Sequence, residues 1–289
     1  MTPVNLLIVL SSTLIHVLAN LSFKRARQPR PFVWGMLALA SLLFSPLLLA
    51  AGGVTPLGLG VLALSGLLDA LYFYTMSQAY TLTDLSIAYP LARGTSPLLL
   101  VLWSLLFLGE KPTLAGLGGI VLIVTGMYVV NLKSGDWLRP LRMAREPGPR
   151  RALLAGLFIS LYSALDKYGI QRAGVPPLTY TYFTVLFTVF WLTPPLLWRA
   201  YRWRDVRAEW RAGPVWMLVG GAATLGAYSL VLLALQRGTP VLYAGAVREF
   251  SVVVGAFVGW RFLKEEQGPL RVLGAALVAA GVATIALGG

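Results

Sequence analysis

The sequence predicts an all-α membrane protein with ten transmembrane helices, arranged as two inverted five-helix repeats. Three observations support this fold. Hydrophobic residue types make up 57% of the 289 residues and charged types only 12%. The apolar residues occur in long runs, each close to the length that a helix needs to cross a bilayer. The pattern of the first half also recurs in the second.

The composition excludes several classes of protein. A soluble domain carries roughly 25% charged residues, whereas this chain has a mean hydropathy of +0.73. Its net charge of +13 does not indicate nucleic-acid binding, because nearly all Lys and Arg residues lie in the gaps between apolar runs. With no Cys and one His, thiol chemistry and a multi-histidine metal site are excluded. We therefore expect no cofactor.

The apolar runs define the predicted spans. A helix needs about 20 apolar residues to cross the hydrocarbon region, where no water can satisfy an exposed backbone. The basic residues near the amino terminus follow the first run, which predicts a retained helix rather than a cleaved signal peptide. The longest polar stretch, 132–150, is predicted to link the halves 1–131 and 151–289. The predicted spans are 4–23, 32–51, 57–80, 84–109, 113–131, 151–171, 177–198, 214–236, 240–263 and 269–287.

The distribution of basic residues predicts the orientation. The gaps after the odd-numbered spans, counted together with the span ends that border them, hold 18 Lys and Arg residues, and the opposite gaps hold 3. Since basic loops stay in the cytoplasm, the first set is predicted to be cytoplasmic. Both termini are then outside, in the plasma membrane of a prokaryote.

The internal repeat appears when the sequence is shifted by 155 positions. Arg93 then meets Arg248, and Glu110 meets Glu265. The spaced glycines of the fifth span also meet glycines of the tenth. Because five helices is an odd number, the two halves must have opposite orientations. Such inverted repeats are typical of secondary transporters, with the substrate site near the midplane.

These motifs resemble the EamA-like members of the drug/metabolite transporter superfamily. The resemblance rests on Leu108-Gly109-Glu110-Lys111-Pro112-Thr113 followed by Gly118-Gly119 and Gly126, and on Leu263-Lys264-Glu265 followed by Gly274 and Gly281. It implies a ten-helix fold and transport. It does not identify the substrate, because similar proteins carry amino acids, sugar phosphates, nucleotide sugars, quaternary amines and drugs. One departure is that the basic residues follow span 1 rather than span 2, and we let the charge count decide the orientation.

Ionisable residues inside spans indicate the candidate site, because each costs at least roughly 2.5 kcal/mol to insert. Arg93 and Arg248 occupy equivalent positions, so the repeat should place them on opposite walls of one cavity. There a guanidinium could bind a carboxylate or phosphate through two hydrogen bonds. Alternatively, Asp69 neutralises Arg93 and Glu249 neutralises Arg248.

The buried charges balance three against three. Asp69, Asp166 and Glu249 oppose Arg93, Lys167 and Arg248. A cavity without net charge suits a zwitterion better than a plain anion. Each carboxylate is also a candidate for binding a coupling proton, since burial penalises its charged form. A purely structural ion pair is the alternative for each of them.

Uncharged polar residues extend the candidate site. His16 and Asn20 lie on one polar stripe of span 1, and His16 could bind a proton near neutral pH. Tyr72, Tyr89 and Tyr243 lie near the charges and could line the site or contact an ammonium group. Hydrogen bonding within the bundle, or simple packing, is the alternative for each.

The predicted function is that of a secondary transporter. It moves a small zwitterionic or anionic organic metabolite, amino acid-like or phosphate-bearing, by alternating access driven by a gradient or by exchange. No phosphate-binding P-loop is present. The alternatives are a lipid-linked substrate flippase of the same fold and, less favoured, a membrane enzyme; we predict no enzyme because the chain lacks a nucleophile–base pair. The expected partners are the substrate, the lipid bilayer and a candidate coupling proton, in a monomer or homodimer.

Overall fold

The computed structural model describes residues 1–23, 25–46, 53–83, 85–130, 132, 145–199, 203–254 and 268–289. These residues form an all-helical fold. The α-helices are α1 Pro3–Phe23, α2 Pro29–Leu43, α3 Pro56–Leu82, α4 Leu85–Trp103, α5 Leu114–Val130, α6 Pro147–Gln171, α7 Pro177–Arg199, α8 Trp203–Ala212, α9 Pro214–Gln236, α10 Val241–Val247 and α11 Pro269–Gly288. A π-helical turn, Ser104–Leu108, follows α4, and a 3-10 turn, Arg248–Phe250, follows α10.

The predicted count of ten transmembrane helices is not confirmed: the described residues contain eleven α-helices. The additional one is α8, a ten-residue helix in a segment that was predicted to be a loop. Its residues are too polar to register as a span. The Leu263-Lys264-Glu265 motif, Lys24 and most of the 132–150 linker lie outside the described residues.

Length and hydropathy support a multi-pass membrane protein. Within the described ranges, six helices are long and apolar enough to cross a bilayer, and α5 is a shorter apolar helix. Several of these helices begin with proline, which fits the first helical turn because its missing N–H has no partner there in any case. The six are Pro3–Phe23, Pro56–Leu82, Ile87–Leu108, Pro147–Gln171, Pro214–Gln236 and Pro269–Gly288.

The helices of the two halves pack in matching pairs. Helix α3 contacts α6 and α7, and correspondingly α9 contacts α1 and α2. The repeat makes α9 the counterpart of α3, α1 that of α6 and α2 that of α7, so the two sets of contacts are equivalent. The α5–α11 pair maps onto itself. Such reciprocity is the packing that a two-fold repeat produces.

Glycines bring α5 and α11 close together. A methyl group on Gly126 would lie 2.6 Å from the carbonyl oxygen of Gly274, and one on Gly281 would lie 2.5 Å from that of Gly119. These four are the glycines that the repeat aligns. Their missing side chains let the backbones approach, as is common between helices in membranes.

Both termini lie on the same face of the bundle. The Met1 ammonium group contacts the Gly289 carbonyl oxygen, and Thr113 donates a hydrogen bond to the carbonyl of Gly288. Nearby, Arg237 donates to Asn5 over 3.0 Å. The start of α2, helix α8 and the start of α6 lie at the opposite ends of the spans and carry most of the described arginines. We call these the terminal face and the basic face.

Candidate functional site

A buried ion pair joins the two halves. The Arg93 Nε of α4 donates to Glu249 Oε2 of the 3-10 turn over 3.1 Å, and the two side chains are only 6% and 3% exposed. Arg93 Nη2 also donates to the backbone carbonyl of Arg248 over 3.4 Å. The partner of Arg93 is therefore Glu249, and the alternative that pairs it with Asp69 is wrong.

The local backbone explains why Arg248 and Glu249 face different neighbours. Successive residues of a 3-10 turn point about 120° apart, so their side chains do not meet. Glu249 turns toward Arg93, and no ion pair joins it to Arg248 among the described contacts. In α4, Pro90 and Pro97 flank Arg93, which weakens the backbone hydrogen bonding around it.

Arg248 lies within electrostatic range of several ionisable groups. Its charge interacts with His16, Asp69, Asp166 and Glu249. Its Nε is buried and has no hydrogen-bond partner in the described part of the chain. A buried donor without a partner is costly, so this guanidinium is available to an anionic group.

The two aspartates differ in how fully their oxygens are used. Asp166, on α6, accepts short hydrogen bonds from Ser65 Oγ and Tyr228 OH, each 2.6 Å long, and is 2% exposed. Asp69, on α3, accepts one bond of 3.0 Å from Thr188 Oγ1 and is partly exposed. Since a carboxylate has about four lone-pair sites, Asp69 has more capacity left for a ligand.

Helix α1 and three tyrosines complete the surroundings of the arginines. Asn20 donates to Tyr89 OH over 3.2 Å, and Arg93 lies 5.8 Å from the centre of the Tyr89 ring. The charges of both arginines also reach His16 and Tyr72. The Tyr72 and Tyr162 rings are 6.2 Å apart. The predicted polar stripe of α1 thus faces the arginines.

Lys167 and Tyr243 lie elsewhere, near the terminal face. Lys167 Nζ is 3.7 Å from Glu110 Oε1 and donates to the Thr239 carbonyl over 2.6 Å. The same Glu110 oxygen accepts the N–H of Val241, the first residue of α10, over 2.8 Å. A carboxylate at a helix amino terminus is favourable. This group fastens α10 to α6, which is a structural role.

Tyr243 takes part in the same region of packing. Its hydroxyl accepts the backbone N–H of Thr113 over 2.9 Å, just before the start of α5. The ring also packs against Gly116. The tyrosine holds α10 to α5 and is not among the side chains around Arg248.

The position of Lys167 changes the charge balance of the site. Arg93 and Glu249 neutralise each other. Arg248 is then within electrostatic range of both Asp69 and Asp166. If both aspartates are ionised, one negative charge is left over. A bound proton or a positively charged ligand group cancels this charge, whereas a zwitterion leaves it unchanged unless one aspartate is protonated.

Several residues that surround the aspartates and tyrosines of the candidate site are not predicted from the sequence. Ser65, Tyr162, Thr188 and Tyr228 carry no charge, and such residues are common in membrane helices. Ser65 and Tyr162 do have a signal, because each lies one helical turn before an aspartate, Asp69 or Asp166, and therefore on the same face. No group of three His, Asp or Glu residues that could hold a metal ion occurs in the parts of the chain that are described.

A separate cleft opens between α2, α3 and α7. It is mostly apolar and contains one cation, Arg30, which donates to Ser77 over 2.9 Å and lies over the Tyr74 ring. None of the buried ion-pair residues lines it. The lining residues are Arg30, Val33, Trp34, Phe73, Tyr74, Ser77, Leu192 and Pro195.

Comparisons with known proteins agree with the fold. The model of the EamA-like transporter family matches residues 4–132 and 151–287. A solved structure described only as a crystal structure of a protein is 19% identical, with a TM-score of 0.75 and 99% of each chain covered. At that identity the likeness shows the fold alone. No curated protein sequence matches the chain.

Proposed function

The chain belongs to the EamA-like transporter family, and from that premise we propose that it is a secondary transporter of a small zwitterionic, amino acid-like metabolite. Transport proceeds by alternating access. The observation that carries the proposal is Arg248, whose buried Nε has no hydrogen-bond partner among the described residues and whose charge lies within electrostatic range of Asp69 and Asp166.

The binding mode follows from the unused hydrogen-bonding capacity. The substrate carboxylate binds Arg248, because a charge-assisted bond satisfies its buried donor. The substrate ammonium binds Asp69, which has unused acceptor positions and some exposure. Tyr72 and Tyr162 form an aromatic wall beside the ammonium. A plain anion on Arg248 leaves both aspartates without a cation, whereas a zwitterion leaves only one, so the anion binds less well.

The ion pair between the halves suits the proposed alternating access. Arg93 and Glu249 belong to equivalent helices of the two repeats, and transporters of this kind rock one repeat against the other. Within this scheme the extra negative charge at Asp69 and Asp166 is a candidate site for a coupling proton. The energy comes from a gradient or from exchange.

The test is a binding panel that changes one charge at a time. Purified protein is titrated with a neutral α-amino acid, with its N-acetyl derivative, which lacks the ammonium charge, and with its amide, which lacks the carboxylate. Unfolding temperature reports binding. We expect stabilisation by the zwitterion and little by either derivative. Uptake into liposomes then distinguishes transport from binding alone.

The Arg248→Gln variant tests the residue. Removing one partner of a buried charge pair costs at least about 2 kcal/mol, or roughly 30-fold in affinity. Arg237→Gln is the control, because this arginine lies on the terminal face and binds Asn5. Equal affinities in wild type and Arg248→Gln would contradict the binding mode, as would a preference for the N-acetyl anion.

We also propose that the basic face is cytoplasmic, which places both termini outside the plasma membrane of a prokaryote. The support is the excess of basic residues on that face, together with the contact between the two termini. A reporter active only outside the cytoplasm, fused after Gly289, should be active. Activity from a cytoplasmic reporter alone at this position would reverse the orientation.

A further inference from the structure

Helix α8 lies where two membrane spans end. It follows α7 and directly precedes α9, so it lies at the level of the membrane surface on the basic face. Its sequence, WRDVRAEWRA, combines arginines with two tryptophans. Tryptophan and arginine are the residue types that membrane-surface helices use at the headgroup level.

One side of α8 is fixed to the bundle. Glu209 is 4% exposed and accepts the backbone N–H groups of Arg27 and Gln28, over 3.1 and 2.9 Å, at the start of α2. Val206 packs near Gly35. These contacts set the rotation of α8 about its own axis, because they determine which side faces α2.

The rotation exposes a basic stripe. Arg204, Arg207 and Arg211 are three and four residues apart, so they share one face of the helix. All three are exposed, and the Arg204 side chain is 77% exposed. The only described ion pair among them is between Arg204 and the neighbouring Asp205, at 3.8 Å.

Two tryptophans border the stripe. Trp203 is 52% exposed and Trp210 is 41% exposed. The inner edge of Trp203 meets Trp34 of α2, with ring centres 5.0 Å apart. The Trp203 ring therefore has one packed side and one side open to the surroundings, and Trp210 is likewise only partly exposed, which is the usual situation of an interfacial anchor.

We propose that the outer face of α8 is a binding site for anionic phospholipids. The phosphate groups bind Arg204, Arg207 and Arg211, and the upper acyl chains contact Trp203 and Trp210. The support for this occupant is charge complementarity at the depth of the headgroups. Because Glu209 joins α8 to the start of α2, bound lipid stabilises the packing of the second transmembrane segment.

The experiment measures lipid binding by thermal unfolding of the purified, full-length protein in detergent. Phosphatidylglycerol and phosphatidylcholine with the same acyl chains are titrated separately. The wild type should be stabilised more by phosphatidylglycerol. The triple variant Arg204→Gln, Arg207→Gln and Arg211→Gln should lose roughly 100-fold in affinity for it, at about fivefold per arginine.

A matched triple variant keeps the comparison specific. Arg145→Gln, Arg150→Gln and Arg151→Gln remove the same charge from exposed positions on the same face, near the start of α6. This variant should keep the wild-type affinity for phosphatidylglycerol. Equal losses in both triple variants would overturn the site, because they would indicate a general effect of net charge.

A third arm separates a lipid from a free anion. Inorganic phosphate at the same concentration should not raise the unfolding temperature. Stabilisation by phosphate that matches that by phosphatidylglycerol would overturn the assignment to lipid. Equal stabilisation of the wild type by the two phospholipids would do the same. None of these outcomes depends on the transported substrate.

Discussion

Breaking the buried pair of Arg93 and Glu249 should destabilise the bundle by several kcal/mol. At a separation of 3.1 Å, two unit charges in a medium of effective dielectric constant about 20 attract each other by ~5 kcal/mol. Both side chains are almost fully buried, so water screens this attraction little. Replacing Glu249 with Gln leaves the Arg93 charge uncompensated, which should cost about 3–5 kcal/mol.

A double-mutant cycle isolates the pair itself. The variants are Arg93→Gln, Glu249→Gln and the double replacement, and the free energy of unfolding is measured reversibly in mixed micelles. We expect a coupling energy of at least about 2 kcal/mol. The double variant should be more stable than the sum of the single losses predicts, because it removes both charges.

The surface pair of Arg204 and Asp205 provides the comparison. Its atoms are 3.8 Å apart, but the arginine is largely exposed, so the same cycle there should give well under 1 kcal/mol. If the Arg93–Glu249 cycle gave an equally small coupling, the two halves would not be joined through these side chains. The position assigned to Arg248 would then also be wrong.

Three further replacements test other parts of the structure. Gly126→Ala should lower the free energy of unfolding by about 1–3 kcal/mol, because its methyl group would lie 2.6 Å from a carbonyl oxygen of α11. Gly118→Ala is the control, because its methyl group meets open space and should not destabilise the protein. Equal unfolding midpoints of the two variants would refute the close packing. Lys167→Met should lower the unfolding midpoint without changing amino-acid affinity, since it removes the cation beside a buried carboxylate; a fall in affinity at unchanged stability would return Lys167 to the binding site. Asp69→Asn should reduce the preference for an amino acid over its N-acetyl derivative, and an undiminished preference in the same titration would exclude Asp69 as the ammonium partner.

The membrane fold and the charged residues could be predicted from the sequence, because both depend on local composition. Apolar runs of sufficient length can only be spans, and a charge inside a span needs a partner or a ligand. Arg93, Arg248 and Glu249 were identified on this basis. The family match over residues 4–132 and 151–287 agrees with the recurrence of the same motifs.

The pairing of the charges could not be predicted in the same way. Which carboxylate meets Arg93 depends on how the two halves are rotated against each other, and no local pattern contains that information. The neighbours Arg248 and Glu249 looked like partners, although successive helical residues point in different directions. From the sequence, Lys167 is expected in the site because it directly follows Asp166. Adjacent residues of a helix point in different directions, however, so Lys167 faces Glu110 instead.

Helix α8 was missed for a different reason. The segment is too short and too charged to be predicted as a span. Its spacing is nevertheless helical, because Arg204, Arg207 and Arg211 are three and four residues apart, and Trp203 and Trp210 are one heptad apart. A search for amphipathic periodicity would have found it. The hydroxyl groups around the aspartates gave no comparable signal, because Ser, Thr and Tyr occur throughout the spans.

The central claim is that side chains around the two arginines line a water-accessible site inside the bundle. The chain has no Cys, so a single introduced thiol reports on its own surroundings. Tyr72→Cys should react with a charged, water-soluble thiol reagent, and the amino acid that binds best should slow the reaction. Leu98→Cys, on the outer side of α4 where the leucine is 49% exposed, should face lipid and stay unreactive. Labelling of Leu98→Cys but not of Tyr72→Cys, or labelling of Tyr72→Cys at a rate that no amino acid changes, would contradict the claim.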